Sequence, residues 1–123
     1  MERTMSIEEL QTKLRNISLT MVPAIEKGMR DAVQNVEGRS KELCPVITGT
    51  LRRSISSETK TTGNEIKGIV GANTEYAEAV ELGTSKRPPH AYLMPAIIEK
   101  ESETLRILGD AVEDGIRRHT RAI

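Results

Sequence analysis

The chain has 123 residues, 18 basic and 18 acidic side chains, and no aromatic residues beyond Tyr76 and Tyr92. That length suits one domain with its own core, and without Trp or Phe the core has to be built from Ile, Leu, Val and Met. Charge also balances locally: residues 1–43 hold seven basic and seven acidic side chains, 44–93 six and five, and 94–123 five and six. A nucleic-acid binder concentrates positive charge instead.

Met1 to Met5 is expected to form a loose arm. Ser6 and Glu9 make a capping box, with Glu8 also favourable in the first turn. From there Ile7, Leu10, Leu14, Ile17, Met21, Ile25, Met29, Val33 and Val36 recur in steps of three and four. This predicts a helix with one apolar stripe over residues 6–43, stopped by Pro45. Unbroken, it would be about 55 Å long, far more than the ~14 Å radius of gyration of a compact chain this size. Either Pro23 kinks it near Leu19 to Val22, helped by Gly28 and Gly38, or it projects and buries its stripe on neighbouring subunits. The expected form is a kinked helix only partly covered within its own chain.

Cys44 to Thr50 is a turn-rich bridge punctuated by Pro45 and Gly49. The single Cys44 excludes an intramolecular disulfide and reads as a small, half-buried side chain at a helix end. Leu51, Arg53, Ile55 and Ser57 alternate as a half-exposed strand would. Thr61 to Asn64 is the turn of a hairpin spanning 50–71, and Glu65 to Gly71 is the returning strand, weakened or bulged at Gly68.

Thr74 to Ala96 organises the rest, holding both tyrosines and three of the five prolines. Within 74–83 a short helix is expected, with Tyr76, Val80 and Leu82 on one face and Gly83 at its C-terminus. Residues 84–91 form an exposed, proline-ended loop carrying Lys86 and Arg87. Pro95 then suits the first turn of a last helix over 94–120, whose stripe is Met94, Ile98, Leu105, Leu108, Val112 and Ile116. Its acidic start and basic end complement the helix dipole. The fold class that follows is α+β: a long kinked N-terminal helix, a small antiparallel sheet with a β-hairpin, a short middle helix and a long C-terminal helix.

No catalytic or metal chemistry stands out. Two histidines and one cysteine cannot supply a four-ligand zinc site. Gly83-Thr84-Ser85-Lys86 lacks the earlier glycine of a phosphate loop. Glu78 and Glu81 lie three apart on the short helix, which describes a solvated acidic face better than a general acid–base pair with His90. Neither an enzyme nor a cofactor is expected. No apolar run approaches the ~20 residues of a membrane span, and the N-terminus lacks a signal-peptide core, so the cytoplasm is the expected site of synthesis.

Three blocks carry a resemblance: Pro45-Val46-Ile47-Thr48-Gly49-Thr50-Leu51-Arg52-Arg53-Ser54-Ile55, then Tyr76-Ala77-Glu78-Ala79-Val80-Glu81-Leu82-Gly83-Thr84, then Pro89 to Ala96 with Tyr92, Leu93 and Pro95. In order and spacing they resemble the tail-completion (head–tail connector) proteins of long-tailed bacteriophages and prophages, relatives of the lambda minor tail protein Z. Ile47 departs from the Asp usual in that pattern, Tyr92 from a Phe and Met94 from an Arg. The resemblance implies a homo-oligomer, in ring form, at the head-proximal end of the tail. It also implies neighbours among the connector or stopper and the tail terminator or tail tube proteins, weak contact with DNA in the lumen, and no membrane. Candidate interface residues are Ile17, Met21 and Met29 on the helix stripe, with Arg53, Lys86 and Arg87 on hairpin and loop. The rival reading is a small nucleic-acid-binding module using Arg52, Arg53, Lys60, Lys67, Lys86 and Arg87.

Overall fold

Ser6 has an extended backbone, and its hydroxyl accepts the Glu9 amide at 3.1 Å. That cap starts α1, which runs from Ile7 to Leu43 as one helix. The computed structural model describes residues 4–46, 49–63 and 65–122, with Ala122 described by its backbone alone. The motif residues Ile47 and Thr48 therefore lie outside the described residues. Pro23 sits within α1 on its exposed side, where water can take the carbonyl that the proline ring leaves without a donor. The helix ends at Cys44, whose backbone is extended ahead of Pro45 and whose amide still bonds the Ser40 carbonyl at 2.9 Å.

Gly49, with φ +80°, starts a single helical turn, α2, at Thr50–Ser54. A strand is expected from Leu51 by the sequence pattern, so the hairpin begins later than that pattern suggests. The reason is an ambiguity of spacing: Leu51 and Ile55 share a side at i and i+4 in a helical turn as well as in a strand. The turn is closed by Arg53 N–H to Gly49 C=O at 3.0 Å and by the Ser54 hydroxyl to Leu51 C=O at 2.7 Å. It still buries Leu51 and Ile55, as the sequence requires.

Strands β1 (Ser56–Thr62) and β2 (Glu65–Gly71) pair antiparallel, in unbroken register from Ser56↔Gly71 to Thr62↔Glu65. The expected bulge at Gly68 is absent. Gly68 instead faces α1, where an added Cβ would come within 2.6 Å of Met29 Sδ and collide with Val33 Cγ1. Close passage of a helix, rather than a strand irregularity, requires the glycine.

The short helix α3 spans Ala77–Leu82, and the expected last helix is divided into α4 (Leu93–Glu99) and α5 (Glu101–Ala122). The division falls at Lys100, with neither Pro nor Gly to mark it in the sequence. α5 runs antiparallel along α1. Gly28 lies against Ala111, and Gly115 against Met21 and Ala24; Arg39 pairs with Glu99 near the other end. Ala24, Gly28 and Ala32, spaced four apart, make a ridge of small residues against which another backbone can close. A second cluster sits at the C-terminal end of α1, where Cys44, Leu51, Ile55, Ala77 and Tyr92 pack with Leu43, Val70, Val80 and Leu93 around them. Tyr92 is the largest fully buried side chain in it.

Candidate assembly surface

Around Glu81 the structure joins two of the three sequence blocks. Glu81 is half-buried near the end of α3. One of its carboxylate oxygens accepts the amides of Tyr92 at 2.6 Å and Leu93 at 3.2 Å, and the other accepts Met94 at 2.8 Å. These are the leading amides of α4, which helical bonding leaves without partners. Pro95, the next residue, has no amide to satisfy. A carboxylate eleven residues away thus caps α4, whose own N-cap, Tyr92, makes no side-chain cap bond. The Tyr92 hydroxyl in turn donates to the Ala77 carbonyl at 3.2 Å. Burial, with Glu81 nearby, pushes that phenol up to about 12.

The intervening loop is tied at both ends. Gly83 has φ +76° and ψ 173°, a conformation confined in practice to glycine, and a Cβ there would meet the Pro89 nitrogen at 2.7 Å. Thr84 N–H donates to Arg87 C=O at 2.9 Å, while the Thr84 hydroxyl accepts the Lys86 and Arg87 amides at 3.3 and 3.1 Å. His90 N–H closes on Val80 C=O at 2.8 Å. Lys86, Arg87, Pro89 and His90 are left exposed on a loop whose backbone is held. Beside it lies a cleft of about 360 Å3 between the bridge, α2, α3 and the loop. Buried Leu51 and half-buried Val80 and Pro45 form its interior, and the exposed Tyr76, Arg87, Pro88 and His90 its rim.

The motif residues divide between these roles. Leu51, Ile55, Ala77, Tyr92 and Ala96 are buried, with Val80, Leu93 and Pro95 partly so. Ser54 links its own turn to the segment after β2, accepting the Asn73 amide at 3.2 Å. The expected face of α3 is corrected: Tyr76 and Leu82 are exposed at 44% and 66%, and Ala77 with Val80 faces the core. The capping role of Glu81 is not among the sequence expectations, although a Glu before a glycine and a later Tyr-Leu-Met-Pro run are both visible there. Of the candidate interface residues, Arg53, Lys86, Arg87 and Ile17 are exposed. Met21 and Met29 are instead half-buried beside Gly115 and Gly68 within the chain.

Cys44 is buried and its thiol is pushed up by that burial, the opposite of an activated nucleophile. It is also more deeply placed than the half-buried side chain expected. Among the described residues no group of three or more His, Cys, Asp or Glu is placed to hold a metal ion, and no helix is long and apolar enough to cross a membrane.

A family model covers residues 8–83, taking in α1 through α3 and ending just after Glu81. The chain belongs to the HK97-gp10-like family. By description that family is a bacteriophage HK97 gp10 tail component, so this HK97-gp10-like protein is a structural phage protein of the virion. No curated protein and no solved structure matches the chain.

Proposed function

We propose that this HK97-gp10-like protein is a tail-completion subunit that joins head to tail as a homo-oligomeric ring, without catalysis or cofactor. Its neighbours would be the connector or stopper on one side and the tail terminator or tail tube on the other. Family membership supports the phage setting. The observation that carries assembly is the uncovered start of α1, where Ile7, Leu10, Leu14 and Ile17 are 75%, 47%, 55% and 39% exposed. A run of exposed aliphatic residues on one helix stripe marks a surface meant to be covered.

Native mass and solution scattering across a concentration series test the oligomer, with a discrete ring-sized species expected. The decisive experiment removes the chain from the phage. Heads and tails should then accumulate unjoined, and normal joining without the chain overturns the reading.

The nucleic-acid alternative is narrowed by the hairpin. Its outward face alternates Glu58 and Lys60 on β1 with Glu65 and Lys67 on β2, each lysine 3.7 Å from the glutamate on its own strand. Of the six basic residues in that reading, Arg52, Arg53, Lys86 and Arg87 remain to meet phosphates. That is a footprint suited to DNA passing a lumen rather than to tight, strongly salt-dependent binding.

A further inference from the structure

We propose that the free amino-terminal end of α1 in one copy docks into the cleft beside Leu51 and Val80 in the next copy. The inference rests on the assembly reading above and specifies its contact.

Ile7, Leu10, Leu14 and Ile17 continue the stripe that, through Met21, Ala24 and Gly28, faces α5. The pairing of Gly28 with Ala111 and of Met21 and Ala24 with Gly115 sets the register of α5 along α1. Extended along both helices, it brings the last turn of α5 opposite Ile17. Among the described residues no helix lies against the stripe before that point. All four residues are exposed, Ile17 least at 39% and Ile7 most at 75%.

The cleft lies at the other end of the molecule, next to the residues that follow α1. α1 is 37 residues long, which at ~1.5 Å per residue separates its ends by about 55 Å. The overhang cannot reach its own cleft. Where it is passed on from copy to copy rather than reciprocated within one pair, a contact between these two unlike surfaces is heterologous, the kind that generates rings when its rotation closes.

Charge complements the apolar match. At the tip of the overhang, from Ser6 to Thr12, the only charged residues are Glu8 and Glu9, and Lys13 and Arg15 follow further along the helix. Arg87 and His90 line the cleft, and the Arg53 guanidinium lies beside Gly49 on its wall. No carboxylate among the described residues pairs with Arg53 or Arg87. The acidic tip of an aliphatic helix fits a cleft that is apolar inside and carries arginine at its rim.

The test mixes two full-length variants, one carrying Leu10→Cys and the other Ala79→Cys, under mild oxidation. The native Cys44 is buried and stays in place. Ala79 lines the cleft and is exposed, so neither change disturbs the core. A mixed disulfide well above that formed by Leu10→Cys with Glu113→Cys, a distant exposed control on α5, is expected. Equal yields overturn the docking, as does preferential Leu10-to-Leu10 linkage, which would mean like-with-like pairing of the overhangs.

Charge reversal gives a second readout. Glu9→Lys or Arg87→Glu alone should weaken association by up to about fivefold, and mixing the two variants should restore it. No restoration counts against the proposal. If both readouts fail while phage lacking the chain still accumulate unjoined heads and tails, the docking is wrong and the head–tail reading stands. If joining proceeds normally without the chain, that reading falls as well.

Discussion

Glu81 connects parts of the chain that propensity alone would leave separate. Its carboxylate holds the three amides at the start of α4 and so fixes where the exposed loop returns to the body. Charged acceptors on otherwise unpartnered amides are among the stronger polar contacts a fold makes. Glu81→Ala should cost about 2–3 kcal/mol in urea unfolding, with the greatest loss of amide protection at Tyr92, Leu93 and Met94. A cost below that of an ordinary surface substitution would contradict the capping role. In the sequence Glu81 reads as half of an acidic face, because i,i+3 spacing within a helix is visible and an eleven-residue return is not. The burial of Leu51 and Ile55 is legible there, since an aliphatic residue beside turn signals has few other places to go.

Between elements, glycine separates what composition shows from what packing requires. Gly28 and Gly38 both lie in α1 and both read as helix-weakening residues. In the structure Gly28 lies against Ala111, whereas an added Cβ at Gly38 meets nothing within 4 Å. Gly38→Ala should therefore stabilise by about 0.5–1 kcal/mol through helix propensity. Gly28→Ala should destabilise by about 1–3 kcal/mol, because it overpacks the α1–α5 seam. Thermal unfolding of the pair checks both signs. The seam itself is hard to read from sequence, as ridges of Ala and Gly carry little hydropathy.

Arg39 joins α1 to the end of α4 through Glu99, and that bond holds the Glu99 carboxyl below its usual range. A carboxyl whose folded pKa is depressed stabilises above its unfolded pKa and loses that contribution as pH falls through the folded value. Glu99→Gln should thus lower the melting temperature near neutral pH, by an amount that shrinks steadily as pH falls below the ordinary carboxylate range. A pH-independent loss would assign the effect to packing instead.

For the whole molecule, the conflict between helix length and compact size is legible in the spacing of the apolar residues alone, and it points to the surface proposed above for assembly. α1 runs through Pro23 as one helix, and the apolar residues before Ile17 extend past the end of α5. Spacing does not distinguish which part of the stripe the chain covers itself: Met21 and Met29 serve the fold, Ile7, Leu10 and Leu14 do not. This difference allows folding and assembly to be separated. Replacing Ile7, Leu10 and Leu14 together by Gln removes little buried area, because all three are already 47–75% exposed. Exposed substitutions of this kind usually move stability by no more than about 0.5 kcal/mol each. The triple variant should therefore unfold at nearly the same urea concentration as the parent while failing to form the higher-mass species at any concentration. Parallel loss of stability and assembly would mean the overhang folds back on its own chain. Unchanged assembly would move the interface elsewhere, first to Leu105, Val112 and Ile116, the exposed aliphatics of α5. The same variant introduced into phage should leave heads and tails unjoined, which ties the physical surface to the biological step.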